Sequence, residues 1–220
     1  MVQRLVSISV AVVCAAMCGC SSMEYAVRES FGQQKWELLV DRVEAAQESQ
    51  EEAKAQFVSA LEQFKALTGF DGGDLERTYT TLKRELEISE DRARDVRKRI
   101  AAVEDVAEAL FAEWERELGE YYSEEKRRSS ERSLRATRQA YERLAGLMHS
   151  AEQRMEPVLR AFRDQVLYLK HMLNARAVAS LEGVSGDLER EVDVLIAEME
   201  RAIAEAARFV EAMRLAESGR

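Results

Sequence analysis

From residue 36 to residue 215 apolar side chains return at alternating steps of four and three, broken only at a few polar stretches. Leu39, Val43, Ala46, Ala53, Phe57, Ala60, Phe64 and Leu67 form the first run, with Gln50 its polar exception and Trp36, Val40 and Leu61 widening it. A second run keeps the step without a slip: Leu75, Tyr79, Leu82, Leu86, Ser89, Ala93, Val96, Ile100, Val103, Ala107, Leu110 and Trp114. The third holds Leu134, Tyr141, Leu144, Met148, Ala151, Met155, Val158, Phe162, Leu169 and Met172. The fourth holds Leu188, Val192, Leu195, Met199, Ala202, Ala206, Phe209 and Met213. A 4–3 step puts apolar groups on one side of a helix, and over many heptads it makes a coiled-coil seam.

The interruptions carry turn chemistry. "GFDGGDLE", residues 69–76, pairs glycines with Asp74, which is placed to cap the second helix. Its two aspartates fall short of the five or six oxygens of a calcium loop. The second seam ends near Gly119–Ser123. "EGVSG", residues 182–186, predicts a third turn, with Gly183 ending one helix and Ser185 capping the next. Pro157 interrupts no seam, so a kink in a continuing helix is expected there rather than a domain boundary. The predicted fold is all-α: an elongated antiparallel bundle of four long helices over residues 33–218, its middle hairpin projecting beyond the outer two. The hairpin tip and the start of the first helix then share one end.

Composition agrees with long helices, since the 220 residues hold one proline and are 33% charged. The formal charge of −9 argues against a nucleic-acid partner, which needs a basic surface. Charged "EDRARDVRKR", residues 90–99, reads as a solvated face with i,i+4 pairing.

Residues 1–19 differ from all that follows. Arg4 is their only charge, and Leu5–Ala16 is apolar apart from Ser7, Ser9 and Cys14. That run is shorter than the ~20 residues a spanning helix needs, and it reads as a secretory signal. "MCGCSS", residues 17–22, follows at its end and resembles the lipobox of bacterial lipoproteins, with Met17, Cys18 and Gly19 before the acceptor Cys20. Met17 and Cys18 depart from the usual leucine and small residue. The resemblance implies cleavage after Gly19, diacylglycerol on the Cys20 thiol, a fatty acyl group such as palmitate on its amine, and outer-membrane sorting, since Ser21 and not Asp follows. Residues 20–32 become a tether. Cleavage removes Arg4, which moves the formal charge from −9 to −10, and leaves Cys20 as the sole cysteine. One cysteine forms no internal disulfide, and with His149 and His171 it does not complete a four-ligand metal site.

Catalytic patterns are not apparent. Gly146 and Tyr168 stand three residues before the histidines, where a di-iron bundle needs glutamate. Neither a phosphate-binding loop nor a nucleophile elbow is present. The reading is no enzyme, no cofactor, no metal and no small-molecule substrate.

Two stretches carry candidate contacts. Lys126, Arg127, Arg128 and Arg132 make the hairpin tip a candidate for anionic lipid head groups, each cation contributing about 1 kcal/mol near such a surface; a solvated tip is the plainer alternative. Arg163, Lys170 and Asn174 repeat along the third helix as candidate partner contacts, against a polar interhelical contact that fixes register.

"LVDRVEAAQESQEEAKAQFVSALEQFKAL", "FDGGDLE", "EDVAEALFAEWE" and "MEPVLRAFRDQVLYLKHMLNARAVASL" together resemble the bacterial domain-of-unknown-function family 2959 over nearly the whole mature chain. The resemblance implies a single helical unit at the Gram-negative envelope and carries no activity, cofactor or functional residues. The expected role is a lipid-anchored periplasmic scaffold of the outer membrane that engages an envelope partner or a second copy. The alternative is a protein that binds or remodels anionic lipid through its tip.

Overall fold

The computed structural model describes residues 35–68, 75–171 and 182–218. Four helices account for nearly all of them: α1 (Lys35–Thr68), α2 (Leu75–Glu117), α3 (Glu124–His171) and α4 (Glu182–Ser218), with one 3-10 turn, Leu118–Glu120, between α2 and α3. At 1.5 Å per residue these are about 51, 65, 72 and 55 Å long. No strand occurs among the described residues.

Each helix packs on the next in the chain, and α4 closes the ring on α1; the diagonal pairs do not approach as neighbours. Ion pairs give the directions. On the α1–α4 seam Glu44 meets Arg214, Lys54 meets Glu200 and Lys65 meets Glu189, so one number rises as the other falls. Lys35–Glu113 and Glu52–Arg92 run the same way on the α1–α2 seam. Between α2 and α3, Glu90–Arg163, Arg97–Glu152 and Glu115–Arg138 repeat the pattern. Arg143–Glu205 at 3.7 Å links α3 to α4. All four adjacent pairs are antiparallel, as short connections require.

The four seams form the core. Leu39, Val43, Phe57 and Phe64 of α1, Ala93, Val96 and Val103 of α2, Leu144, Met148 and Met155 of α3, and Leu195, Met199 and Ala206 of α4 are all buried. Phe64 and Phe162 meet edge-on across the diagonal, 6.3 Å between centroids. The helix continues through Pro157, with Met155 and Val158 buried on either side, so the apolar phase is kept.

Two sequence expectations change. "EGVSG" is not a turn: α4 already begins at Glu182, and Gly183 and Gly186 lie within it. A glycine in a helix keeps its amide and costs about 1 kcal/mol relative to alanine, so two near the start do not prevent the helix. In the charged stretch Arg92 and Arg97 reach other helices, Glu52 of α1 and Glu152 with Glu156 of α3, rather than pairing along α2. Arg94 alone of the three stays local, on Asp91.

Candidate functional site

The hairpin end is where the chain enters the bundle. Lys35 Nζ lies 2.6 Å from Glu113 Oε2. Next to it Trp36 meets Trp114 edge to face at 5.9 Å, and its indole N–H donates to the Met213 carbonyl at 3.2 Å. Trp114 donates in turn to Ser130 Oγ at 2.8 Å. One cluster therefore ties the start of α1, the end of α2, the start of α3 and the end of α4. One turn further in, Phe111 packs on Tyr141 and carries the Arg138 guanidinium over its ring at 5.0 Å. Burial pushes the Tyr141 phenol up to about 12, with the Glu104 and Glu108 carboxylates adding to the effect.

Among the described residues only α2 and α3 continue beyond that cluster, so the expected projection exists as a short hairpin. Ser123 caps α3: its Oγ accepts from the Lys126 amide at 3.4 Å, and its carbonyl accepts from the Arg127 amide at 2.9 Å. Glu124 and Glu125 then occupy the first turn, where the helix dipole favours carboxylates. The Glu124 carboxylate takes both nitrogens of a bidentate Arg127 contact, 2.8 and 2.9 Å, and Arg128 Nε at 2.8 Å. The Arg127 hydrogen bonds first, then those of Arg128, hold Glu124 at about 2.

The four tip cations thus divide. Arg127 and Arg128 are engaged by Glu124. Lys126 and Arg132 are exposed and make no ion pair among the described residues. Their surroundings are not net basic, since Glu120, Glu124, Glu125 and Glu131 match Lys126, Arg127, Arg128 and Arg132 in number. Tyr121 and Tyr122 are exposed at the apex, Tyr122 completely. Sequence periodicity did not single them out, because they belong to no seam.

The second candidate stretch is not brought to this end. Arg163 sits on the α2–α3 seam, 2.5 Å from Glu90 and 4.0 Å from Glu156, contacts that raise its already high pKa. The Glu90 contact is interhelical, joining α3 to α2, while Glu156 lies on α3 itself. Lys170 is exposed near the far end of α3. Asn174 and Cys20 lie outside the described residues.

Among the described residues four polar groups enter the core, on α1 and α2: Ser49, Gln50, Glu85 and Ser89. Gln56 Nε2 donates to Glu85 Oε2 at 2.9 Å, and Ser89 Oγ donates to the Glu85 carbonyl at 2.7 Å. Gln50 is fully buried, and neither its amide nitrogen nor its oxygen has a partner among the described residues. Its break in the apolar run was the visible signal. His149 Nε2 lies 2.7 Å from Glu104 Oε1 on the α2–α3 seam. Among the described residues no three His, Cys, Asp or Glu side chains gather as a metal cluster, and no helix is long and apolar enough to cross a membrane.

Neither the curated proteins nor the solved structures contain a match to this chain. A family model described as "Protein of unknown function (DUF2959)" does match, over residues 24–213. That span covers most of the chain and all four helices as far as Met213, and the chain belongs to the DUF2959 family.

Proposed function

We propose that this protein is a lipid-tethered helical scaffold of the bacterial outer membrane, held at Cys20 and projecting its bundle into the periplasm to engage a protein partner or a second copy. The carrying observation is the Lys35–Glu113 contact, which puts chain entry at the hairpin end of a bundle packed along its whole length. A tether joined there leaves the shafts of the helices, about 50 Å long, free to meet neighbours laterally. Two or three acyl chains at ~0.8 kcal/mol per buried methylene hold such a body firmly on a bilayer.

A second reading is favoured by Tyr121 and Tyr122. Exposed tyrosines beside Lys126 and Arg132 suit a membrane interface, where aromatic rings and cations gather. In that reading the tip binds anionic lipid directly.

The test is envelope fractionation followed by crosslinking and pull-down of the lipidated protein. Cys20→Ser is expected to abolish acylation and release the protein from membranes. Pull-down of the native form is expected to recover crosslinked protein. Recovery of lipid alone would overturn the scaffold reading in favour of the second.

A further inference from the structure

Charge is not spread evenly over the bundle. α3 carries eleven Lys and Arg against seven Asp and Glu, inside a chain that is acidic overall. Four of its seven acids are engaged, Glu124 with Arg127 and Arg128, Glu131 with Arg135, and Glu152 and Glu156 with Arg97 of α2, while Glu125, Glu142 and Asp164 are exposed and make no ion pair among the described residues. Exposed Arg132, Arg154 and Arg160 make no ion pair among the described residues, and exposed Arg143 has only the 3.7 Å contact to Glu205. Arg132 and Arg160 each stand two residues before a buried seam residue, Leu134 and Phe162, which are four heptads apart, and Arg143 lies about 50° away round the helix, so the three share its outer face as one line.

α1 shows the opposite sign. Glu37, Glu48 and Glu62 are exposed, on the side away from the buried seam, and make no ion pair among the described residues. α1 and α3 are diagonal in the ring, so their solvent faces point to opposite sides of the bundle. One side is a line of arginines and the other a line of glutamates.

The two lines share a register. Phe64 and Phe162 touch across the core and so mark one height on both helices, which run in the same direction. Glu62 and Arg160 each stand two residues before that mark. Glu37 and Glu48 are eleven residues apart, as are Arg132 and Arg143, and both pairs are staggered by three residues, about 5 Å, within reach of an arginine side chain.

We propose that the arginine line of α3 is a docking face for the glutamate line of α1 on a second copy of this chain, with neighbouring bundles side by side, parallel and at equal height. Glu62 then meets Arg160, Glu48 meets Arg143 and Glu37 meets Arg132. The contact is heterologous, so each copy keeps one free face and rows can extend. Sideways translation keeps every Lys35 at the same end. The inference rests on the scaffold reading for that common orientation, since copies tethered to one membrane already share it. Association through exposed charges is weak and salt-sensitive, and confinement to a surface raises the local concentration that drives it.

The test uses full-length lipidated protein in the cell envelope, co-expressed as two differently tagged copies, one Glu62→Cys and the other Arg160→Cys. Oxidation is expected to give a disulfide-linked pair carrying both tags, about tenfold above either same-residue combination, because the contact is heterologous. Reversing the arginine line with Arg132→Glu and Arg143→Glu on the Arg160→Cys copy is expected to abolish that product. Adding Glu37→Arg and Glu48→Arg to the Glu62→Cys copy is expected to restore it, which also shows that the reversed chain still folds. Absence of the two-tag product, equal yield from same-residue pairs, or survival after reversal would each overturn the proposal. A different crosslinked protein recovered in place of a second copy would overturn self-docking while leaving the scaffold reading intact.

Discussion

Trp36 and Trp114 meet edge to face at 5.9 Å where α1 begins and α2 passes into the hairpin. Because each indole also donates across a helix boundary, to Met213 and to Ser130, this pair joins all four helices at one end. Trp36→Ala removes a buried ring and leaves a cavity, so a loss of about 3–5 kcal/mol is expected in urea unfolding. Trp114→Phe keeps an aromatic partner and deletes only the hydrogen bond to Ser130, for which about 1 kcal/mol is expected. Equal losses from the two would contradict the roles given to ring and donor.

Gln50 predicts the reverse sign. A buried amide without partners costs about 1–3 kcal/mol, and leucine has a similar volume. Gln50→Leu is therefore expected to raise the thermal midpoint. A fall would mean that the Gln50 amide is satisfied in solution.

Glu124 sets a pH dependence at the tip. Its carboxyl is lowered from an ordinary 4.5 to about 2 by Arg127 and then Arg128. A lowered acid contributes stability that is fully present above the unfolded value and is lost as pH falls through the folded one. The Glu124 contacts should thus persist at pH 5 and disappear between about pH 4 and pH 2. Carboxyl NMR titration is expected to give a Glu124 midpoint near the low value, and Arg127→Ala with Arg128→Ala to return it toward 4.5. A wild-type midpoint already at 4.5 would dissolve the triad.

Arg163 illustrates how little an exposed pair contributes. Its contact with Glu90 is short, yet both side chains are partly solvated. A double-mutant cycle on Arg163→Ala and Glu90→Ala is expected to return a coupling of about 1 kcal/mol or less, well below the cost of Phe162→Ala. A larger coupling would make the ion pair a structural determinant in its own right.

The helices were legible because a 4–3 step maps directly onto burial: residues such as Leu39, Val96, Met155 and Leu195, read from spacing alone, all lie in the core. The start of α4 was not, since Gly183 and Gly186 read equally well as turn residues and as glycines tolerated near the start of a helix at about 1 kcal/mol each. Partner choice among charges was also hidden. Arg97 has no acidic residue three or four positions away along α2, and only the assembled ring places Glu152 and Glu156 beside it. At the tip a count of cations hides their partners, since the local glutamates equal them in number and Glu124 takes two of the four. The matched lines on α1 and α3 need the Phe64–Phe162 contact to fix their heights, which no single helix supplies.

The most direct test of the scaffold account is site-specific photo-crosslinking in the intact envelope, with the reactive group at Glu48, Arg154 or Tyr122 in separate strains. The account predicts discrete protein adducts from Glu48 and Arg154, on the shafts of α1 and α3. Lipid adducts from Tyr122 with no protein adduct at either shaft position would contradict it.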